Sequence, residues 1–283
     1  MSARSARVHV VTDSTAGLSA LEVLRHPLTV VPLQVVIDGT AYDDGATSSA
    51  AVAEALRTFT PVSTSRPAPQ SFADTYAKCA AAGAGSVVSI HLSGDMSGTV
   101  EAAMIGAKES PIPVRVIDSR SLGMGLGFPV LAAARAAAAG ADQAEVESVT
   151  RARMAAVSSY FYVDTLEYLR RGGRIGAAQA VLGTALAVKP LLTISGGRIV
   201  PLEKVRTSSR AIARLADIAV QRAGDGPVEL AVHHLANPDK AQTLADGLSE
   251  RLPRADEVVL REVGAVIGAH VGPGMLAVVV APR

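Results

Sequence analysis

The sequence predicts an α/β protein of two domains: a parallel or mixed sheet flanked by helices, then a second α/β domain. Two observations carry this. Short β-branched apolar runs alternate with alanine-rich helical stretches from the start of the chain. At 283 residues the chain is longer than one core of ordinary size supports. No internal repeat or low-complexity linker stands out, so the domains, placed at 1–155 and 156–283, are expected to pack together.

Residues 8–12 read as a buried strand ended by Asp13-Ser14-Thr15, with a short helix following over 18–25. The β-branched stretch 29–37 reads as one strand and 42–46 as a polar loop. Ser48 or Ser49 caps a helix running to about Phe59. A Pro/Ser/Thr loop over 60–69 leads into a helix over 71–82, a strand over 86–92 and a Gly/Ser loop. A helix over 98–109, the strand Val114–Asp118 and an alanine-rich helix over 128–139 follow. Asp142 with Glu145 forms a capping-box pattern opening a further helix, and the domain change is placed just after it.

The second series begins with a strand over 160–163, a segment over 164–171 and the Gly172-Gly173 turn. A stretch over 177–187 is followed by a hairpin of 191–195 with 198–200. The Ser195-Gly196-Gly197 turn suits that hairpin. A helix over 208–222, the strand Val228–His234 and an Asn237-Pro238 helix start come next. Segments 257–263 and 275–280 complete the set as strands. The uncharged stretch 263–282 is long enough to cross a bilayer, but its glycines and His270 argue instead for two buried strands joined by a glycine turn.

Composition narrows the function. A net charge of +1, from 27 basic and 26 acidic residues, lacks the basic excess of a nucleic-acid binder. No apolar signal core follows Arg4 and Arg7, and a single cysteine, Cys79, allows no internal disulfide. Both point to a soluble protein of a reducing cytoplasm, with Cys79 a buried small hydrophobe.

Few motifs carry chemistry. Gly123, Gly125 and Gly127 follow a strand, but Phe128 stands where a dinucleotide fingerprint needs its third glycine. No P-loop pattern occurs. The adjacent His233 and His234 alternate across a strand without metal-ligand spacing, so one ring is expected packed and the other solvated. Ser93 and Ser97 lack the G-x-S-x-G frame of a nucleophile elbow. Ser97, Gly98 and Thr99 open a helix, where free N–H groups favour an anion; capping by Ser97 is the competing account. Thr64-Ser65-Arg66-Pro67 offers two hydroxyls and a cation, and His270 an imidazole in a loop of small residues. Taken singly, these are a surface turn and a satisfied histidine. Taken together they could supply hydroxyls, amides and one imidazole around one anion.

The order of the motifs resembles the DegV family of bacterial fatty-acid-binding proteins, which includes the lipid-binding subunits of fatty acid kinase. The resemblance runs from Val11-Thr12-Asp13-Ser14-Thr15 and Val31-Pro32-Leu33 through Thr64-Ser65-Arg66-Pro67 and the 92–99 loop. It continues with Val116-Ile117-Asp118-Ser119, the 164–175 segment ending Gly172-Gly173-Arg174-Ile175, Lys189-Pro190-Leu191-Leu192, Lys204-Val205-Arg206 and the His270 loop. It implies a two-domain DegV-like fold with one long-chain, palmitate-like fatty acid held between the domains. Its carboxylate would lie on Thr64, Ser65, Ser97 and His270, with Gly98 and Thr99 completing that set. Arg174 matches a position near the head group and Arg206 one implicated in contact with a kinase partner. The implied role is a cytoplasmic carrier in phospholipid metabolism, without cofactor, metal or membrane insertion. It would present the carboxylate to a separate ATP-dependent fatty acid kinase for acyl-phosphate formation. The alternatives are a kinase-like enzyme holding a small carbonyl on His270, and a lipid-responsive regulatory or transport module. The chain departs from the family pattern at Arg66, where glutamine is common, and at Gly94-Asp95-Met96, where small residues are usual.

Overall fold

A computed structural model describes residues 7–181 and 189–283. The elements in chain order begin β1 (Val8–Asp13), α1 (Ala20–Arg25), β2 (Leu28–Val31), β3 (Gln34–Ile37), β4 (Thr40–Asp43), α2 (Ser49–Arg57) and β5 (Val62–Ser65). Then come α3 (Pro69–Ala81), β6 (Ser86–His91), α4 (Thr99–Ala107), β7 (Val114–Asp118), α5 (Met124–Ala138) and α6 (Gln143–Ala156). The remainder is β8 (Ser158–Tyr162), α7 (Glu167–Arg171), β9 (Lys189–Ser195), β10 (Arg198–Val205), α8 (Ser208–Ala223), β11 (Val228–His234), α9 (Pro238–Arg251), β12 (Val259–Glu262), α10 (Ala265–Val271) and β13 (Leu276–Pro282). Short 3₁₀ turns lie at Ser14–Ala16 and Gly176–Val181. Of the stretch expected over 177–187, the first part is this second turn; residues 182–188 lie outside the described residues.

The chain divides into two compact units that interleave in sequence. One holds residues up to 33 together with 65–155; the other holds 34–64 together with 156–283. A single cut after 155 therefore misplaces 34–64, which belong with the later half of the chain. The reason is Pro32. The apolar run expected as one strand over 29–37 breaks there, because proline cannot donate to a ladder. β2 stays in the first unit's sheet, and β3 joins another. The Asp38-Gly39 pair, both at positive φ (47° and 77°), then turns the chain into β4, whose last two residues had read as loop.

The first unit has a four-stranded sheet in the order β2-β1-β6-β7, every pair parallel. β6 is buried along its whole length, as a strand covered on both faces must be. Val11, Val87, Phe72, Tyr76, Cys79 and Ala103 form part of its core, with Cys79 buried as expected. Strand order reverses between β1 and β6, so their carboxyl ends flank the crevice where open α/β sheets take ligands. The capping box opening α6 is present: Glu145 N–H donates to Asp142 Oδ1 at 2.9 Å and Asp142 N–H to Glu145 Oε2 at 3.1 Å.

The second unit carries a six-stranded mixed sheet, β10-β9-β8-β13-β11-β12, and the small sheet β4-β3-β5. β9 and β10 form the expected hairpin, with Gly196 and Gly197 at φ 58° and 83° in its two-residue turn. α8 buries Ala211, Leu215, Ile218, Ala219 and Ala223 on one face, against Leu191, Leu230 and Val278. Both His233 and His234 are buried on β11, rather than one packed and one solvated, because every residue of β11 is buried, as in a strand covered on both faces. Among the described residues no helix is long and apolar enough to cross a membrane.

The stretch 263–282 is not two strands. Residues Ala265–Val271 form α10, and His270 sits in its last turn. The helix is short and six of its seven residues are buried, so it has no polar face to give it a helical period. Its supports come from elsewhere in the chain. Asp44 Oδ1 accepts the Val266 N–H at 3.4 Å, and Ser49 Oγ donates to the Val263 carbonyl at 2.6 Å. A Cβ on Gly268 would lie 3.3 Å from Leu235, so glycine lets the helix approach closely.

Candidate functional site

In the second unit the structure brings together Thr64, at the end of β5, and His270, in α10. Thr64 Oγ1 and His270 Nε2 are 2.8 Å apart, across 206 positions of sequence. Nδ1 of the same ring is buried and has no hydrogen-bond partner among the described residues. A buried N–H without an acceptor costs more than a bare ring lone pair beside packed backbone. The ring proton therefore belongs on Nε2, donating to Thr64 Oγ1. The Thr64 hydroxyl proton is then left to donate to a further acceptor. Burial, and after it the positive charge of Arg174, push His270 down to about 4, so the ring is neutral at pH 7.

α7 supplies the wall against this ring. It ends at Gly172, whose carbonyl accepts from Arg174 Nη1 at 2.6 Å. A side chain on Gly172 would collide with His270 Nδ1 and Cε1. Gly173 follows at φ 70°, a left-handed conformation that ends the helix. The two glycines read in the sequence as a turn, so the steric role of the first was missed. Arg170 and Arg171 both pair with Glu167, at 2.7 Å each. Arg206 is exposed just beyond β10 and makes no hydrogen bond or ion pair among the described residues.

In the first unit, Ser97, Gly98 and Thr99 join β6 to α4. Gly98 is the N-cap and offers no side chain, so Ser97 does not cap the helix. Its hydroxyl instead lies 2.9 Å from that of Thr99, which is fully buried. The amides of Gly98 and Thr99 have no partner among the described residues, which leaves an anion-receptive end of the helix dipole. Arg66 lies over this end, with Nη1 3.3 Å from the Gly98 carbonyl and 2.8 Å from Glu101 Oε2. Ser65 is exposed. Asp95, whose charge would repel an anion, stands 3.7 Å from Arg120.

The fold is thus α/β, with an open helix end in the first unit and, in the second, a threonine hydroxyl bonded to a neutral imidazole. The chain belongs to the DegV family. The family model, described as an uncharacterised protein family, matches residues 7–283. A DegV domain-containing protein of Streptomyces coelicolor is 56% identical over 280 residues, covering 99% of this chain and 100% of that protein. A solved DegV family protein from Thermus thermophilus, described for its fatty acid binding, is 32% identical with a TM-score of 0.93. That match covers 98% of this chain and 100% of the other. DegV from Bacillus subtilis, described as a fatty acid binding protein, is 31% identical with a TM-score of 0.90, covering 99% and 100%.

Proposed function

We propose that this chain binds a long-chain fatty acid in the cytoplasm and presents its carboxylate to a separate ATP-dependent kinase. The observation that carries the reading is the Thr64–His270 pair, whose neutral ring orients a hydroxyl as a donor. The likeness to DegV proteins described as fatty acid binding supports it.

In this reading Thr64, Ser65 and Ser97 donate hydroxyl hydrogen bonds to the carboxylate. Gly98 and Thr99 add backbone N–H groups, and His270 fixes Thr64. Such charge-assisted bonds contribute about 1.5–3 kcal/mol each and remove the prohibitive cost of an unpaired buried carboxylate. The tail supplies the affinity: a chain of about sixteen carbons buries roughly 12 kcal/mol gross at ~0.8 kcal/mol per methylene. Arg174 sits beside the head-group end and Arg206 docks the partner. The kinase would bring ATP. A carboxylate oxygen attacks the γ-phosphorus, ADP leaves, and the acyl phosphate forms with no atom taken from this protein. The contribution of this chain is proximity and orientation.

Organic extraction of the purified protein followed by mass spectrometry tests the reading. The expected result is a long-chain fatty acid in near-equal amount to protein. A protein that releases none and takes up no added palmitate overturns it, and a covalent small adduct on His270 would place the chain among carbonyl-binding enzymes instead.

A further inference from the structure

Four polar side chains of the first unit lie wholly inside it and have no part in the function proposed above. Asp13 ends β1, Ser89 and His91 stand on β6, and Tyr76 is on α3; each is 0% exposed. Asp13 Oδ2 is 3.1 Å from His91 Nδ1, His91 Nε2 is 2.7 Å from Ser89 Oγ, and Ser89 Oγ is 2.9 Å from Tyr76 OH. The first three groups have the connectivity of a Ser-His-Asp nucleophilic set. No substrate can reach this serine, and its hydroxyl is already bonded to the phenol of Tyr76.

We infer that Asp13, His91, Ser89 and Tyr76 form a buried positioning chain that fixes the loop bearing Ser97, Gly98 and Thr99. Asp13 accepts from four donors: Thr15 N–H at 3.0 Å, Thr15 Oγ1 at 2.5 Å, Leu92 N–H at 2.9 Å and His91 Nδ1. A carboxylate only accepts, so His91 Nδ1 carries a proton. Leu92 is the first residue of the loop, and its amide is held directly by Asp13.

The far end of the chain reaches the other polar loop. Tyr76 lies on α3, whose start follows Arg66, and Arg66 bonds Gly98 and Glu101 at the start of α4. α3 and α4 touch backbone to backbone, since a Cβ on Gly106 would stand 2.6 Å from the Pro69 carbonyl oxygen. The chain thus joins β1, β6 and α3, from which the two loops of this unit spring. Burying four polar groups costs desolvation that aliphatic side chains would not. What directional bonds add is a fixed rotation and register of the loop, which an apolar core does not specify.

Tyr76→Phe, Ser89→Ala and Asp13→Asn test this by two measurements. The first is amide hydrogen exchange over 92–99 compared with β6. The second is palmitate affinity, alone and in a Ser97→Ala background. Exchange in the loop should quicken relative to β6 by about threefold for Tyr76→Phe and about tenfold for Asp13→Asn. Affinity should fall by similar factors, and that loss should shrink when Ser97 is already alanine, since only the Gly98 and Thr99 amides then remain to be misplaced. A chain that only stabilises the unit would quicken loop and strand equally and give additive losses, overturning the inference. The palmitate arm rests on the fatty-acid reading. Should the wild type bind no palmitate, that reading fails while the exchange comparison still decides this one. Should Asp13→Asn not fold, Tyr76→Phe, which deletes one oxygen, decides it.

Discussion

Gly172 stands where any side chain would run into the imidazole of His270. Its φ of −74° is open to every residue, so the requirement is steric and not conformational. Gly172→Ala should turn the ring away from Thr64 and cost about 1–3 kcal/mol of stability, as overpacking does. Palmitate affinity should fall with it. Gly173→Ala is the contrast. It meets open space and pays only for its left-handed backbone, about 1–2 kcal/mol, so it should spare binding. Binding isotherms and thermal midpoints of the two variants distinguish the roles; equal binding loss in both would contradict the assignment of Gly172 to His270.

Acid should destabilise the protein through two histidines held neutral. Burial pushes both His270 and His233 down to about 4 from an ordinary 6.5. Between those values the unfolded chain binds the proton and the folded chain does not, so stability rises with pH through that window. It is lost progressively as pH falls from 6.5 and fully lost below about 4. For His270 the full swing is on the order of 3 kcal/mol. Urea titrations of wild type and His270→Gln at pH 7 and pH 4.5 check this. The variant should show a distinctly shallower fall, and parallel falls would sink the claim.

The sequence carried the alternation of strands and helices, the β9–β10 hairpin and the α6 capping box, because each rests on local chemistry. It did not carry α10. A seven-residue run with six positions buried has no amphipathic period, and Gly264, Gly268 and Gly272 read as breakers. The support for that helix comes from Asp44, 222 positions earlier, which no local pattern shows. The transfer of β3 and β4 out of the first sheet was legible in part: Pro32 and Asp38-Gly39 are the strand break and hairpin turn, and both lay in plain view. Thr64 and His270 were picked out by residue type and by resemblance. Their 2.8 Å contact, and the clearance that Gly172 gives the ring, are products of tertiary packing. Asp13 was visible as a strand end and as part of the 11–15 motif, but its link to β6 was not, since His91 and Leu92 lie 78 and 79 positions away.

Arg206 is exposed and unbonded among the described residues, so its removal should not disturb the fold. Arg206→Ala should change stability by no more than about 0.5 kcal/mol and leave the extracted fatty acid unchanged. If the residue docks a kinase, acyl-phosphate formation with that partner should slow, and more so at low ionic strength, where exposed charges act furthest. Loss of lipid from the variant would instead move Arg206 into the binding site.

The same substitution should act with opposite sign at two helical glycines. In a helix interior alanine is favoured over glycine by about 1 kcal/mol. At Gly247, in α9, an added Cβ meets nothing within 4 Å, so Gly247→Ala should stabilise by about 0.5–1 kcal/mol. At Gly106, in α4, the Cβ would stand 2.6 Å from the Pro69 carbonyl oxygen, 2.8 Å from Phe72 Cβ and 2.9 Å from the Ala73 nitrogen. Two of these are backbone atoms of α3 and cannot swing aside. Overpacking of this kind costs about 1–3 kcal/mol, which outweighs the propensity gain. Because α3 and α4 begin at the two polar loops of the first unit, forcing them apart also shifts Arg66 against Gly98. Gly106→Ala should therefore lower the thermal midpoint and weaken palmitate binding together, while Gly247→Ala raises the midpoint and leaves binding alone. A stabilising Gly106→Ala would mean that the helices have room to separate, and would remove the close α3–α4 contact as a constraint on the loops.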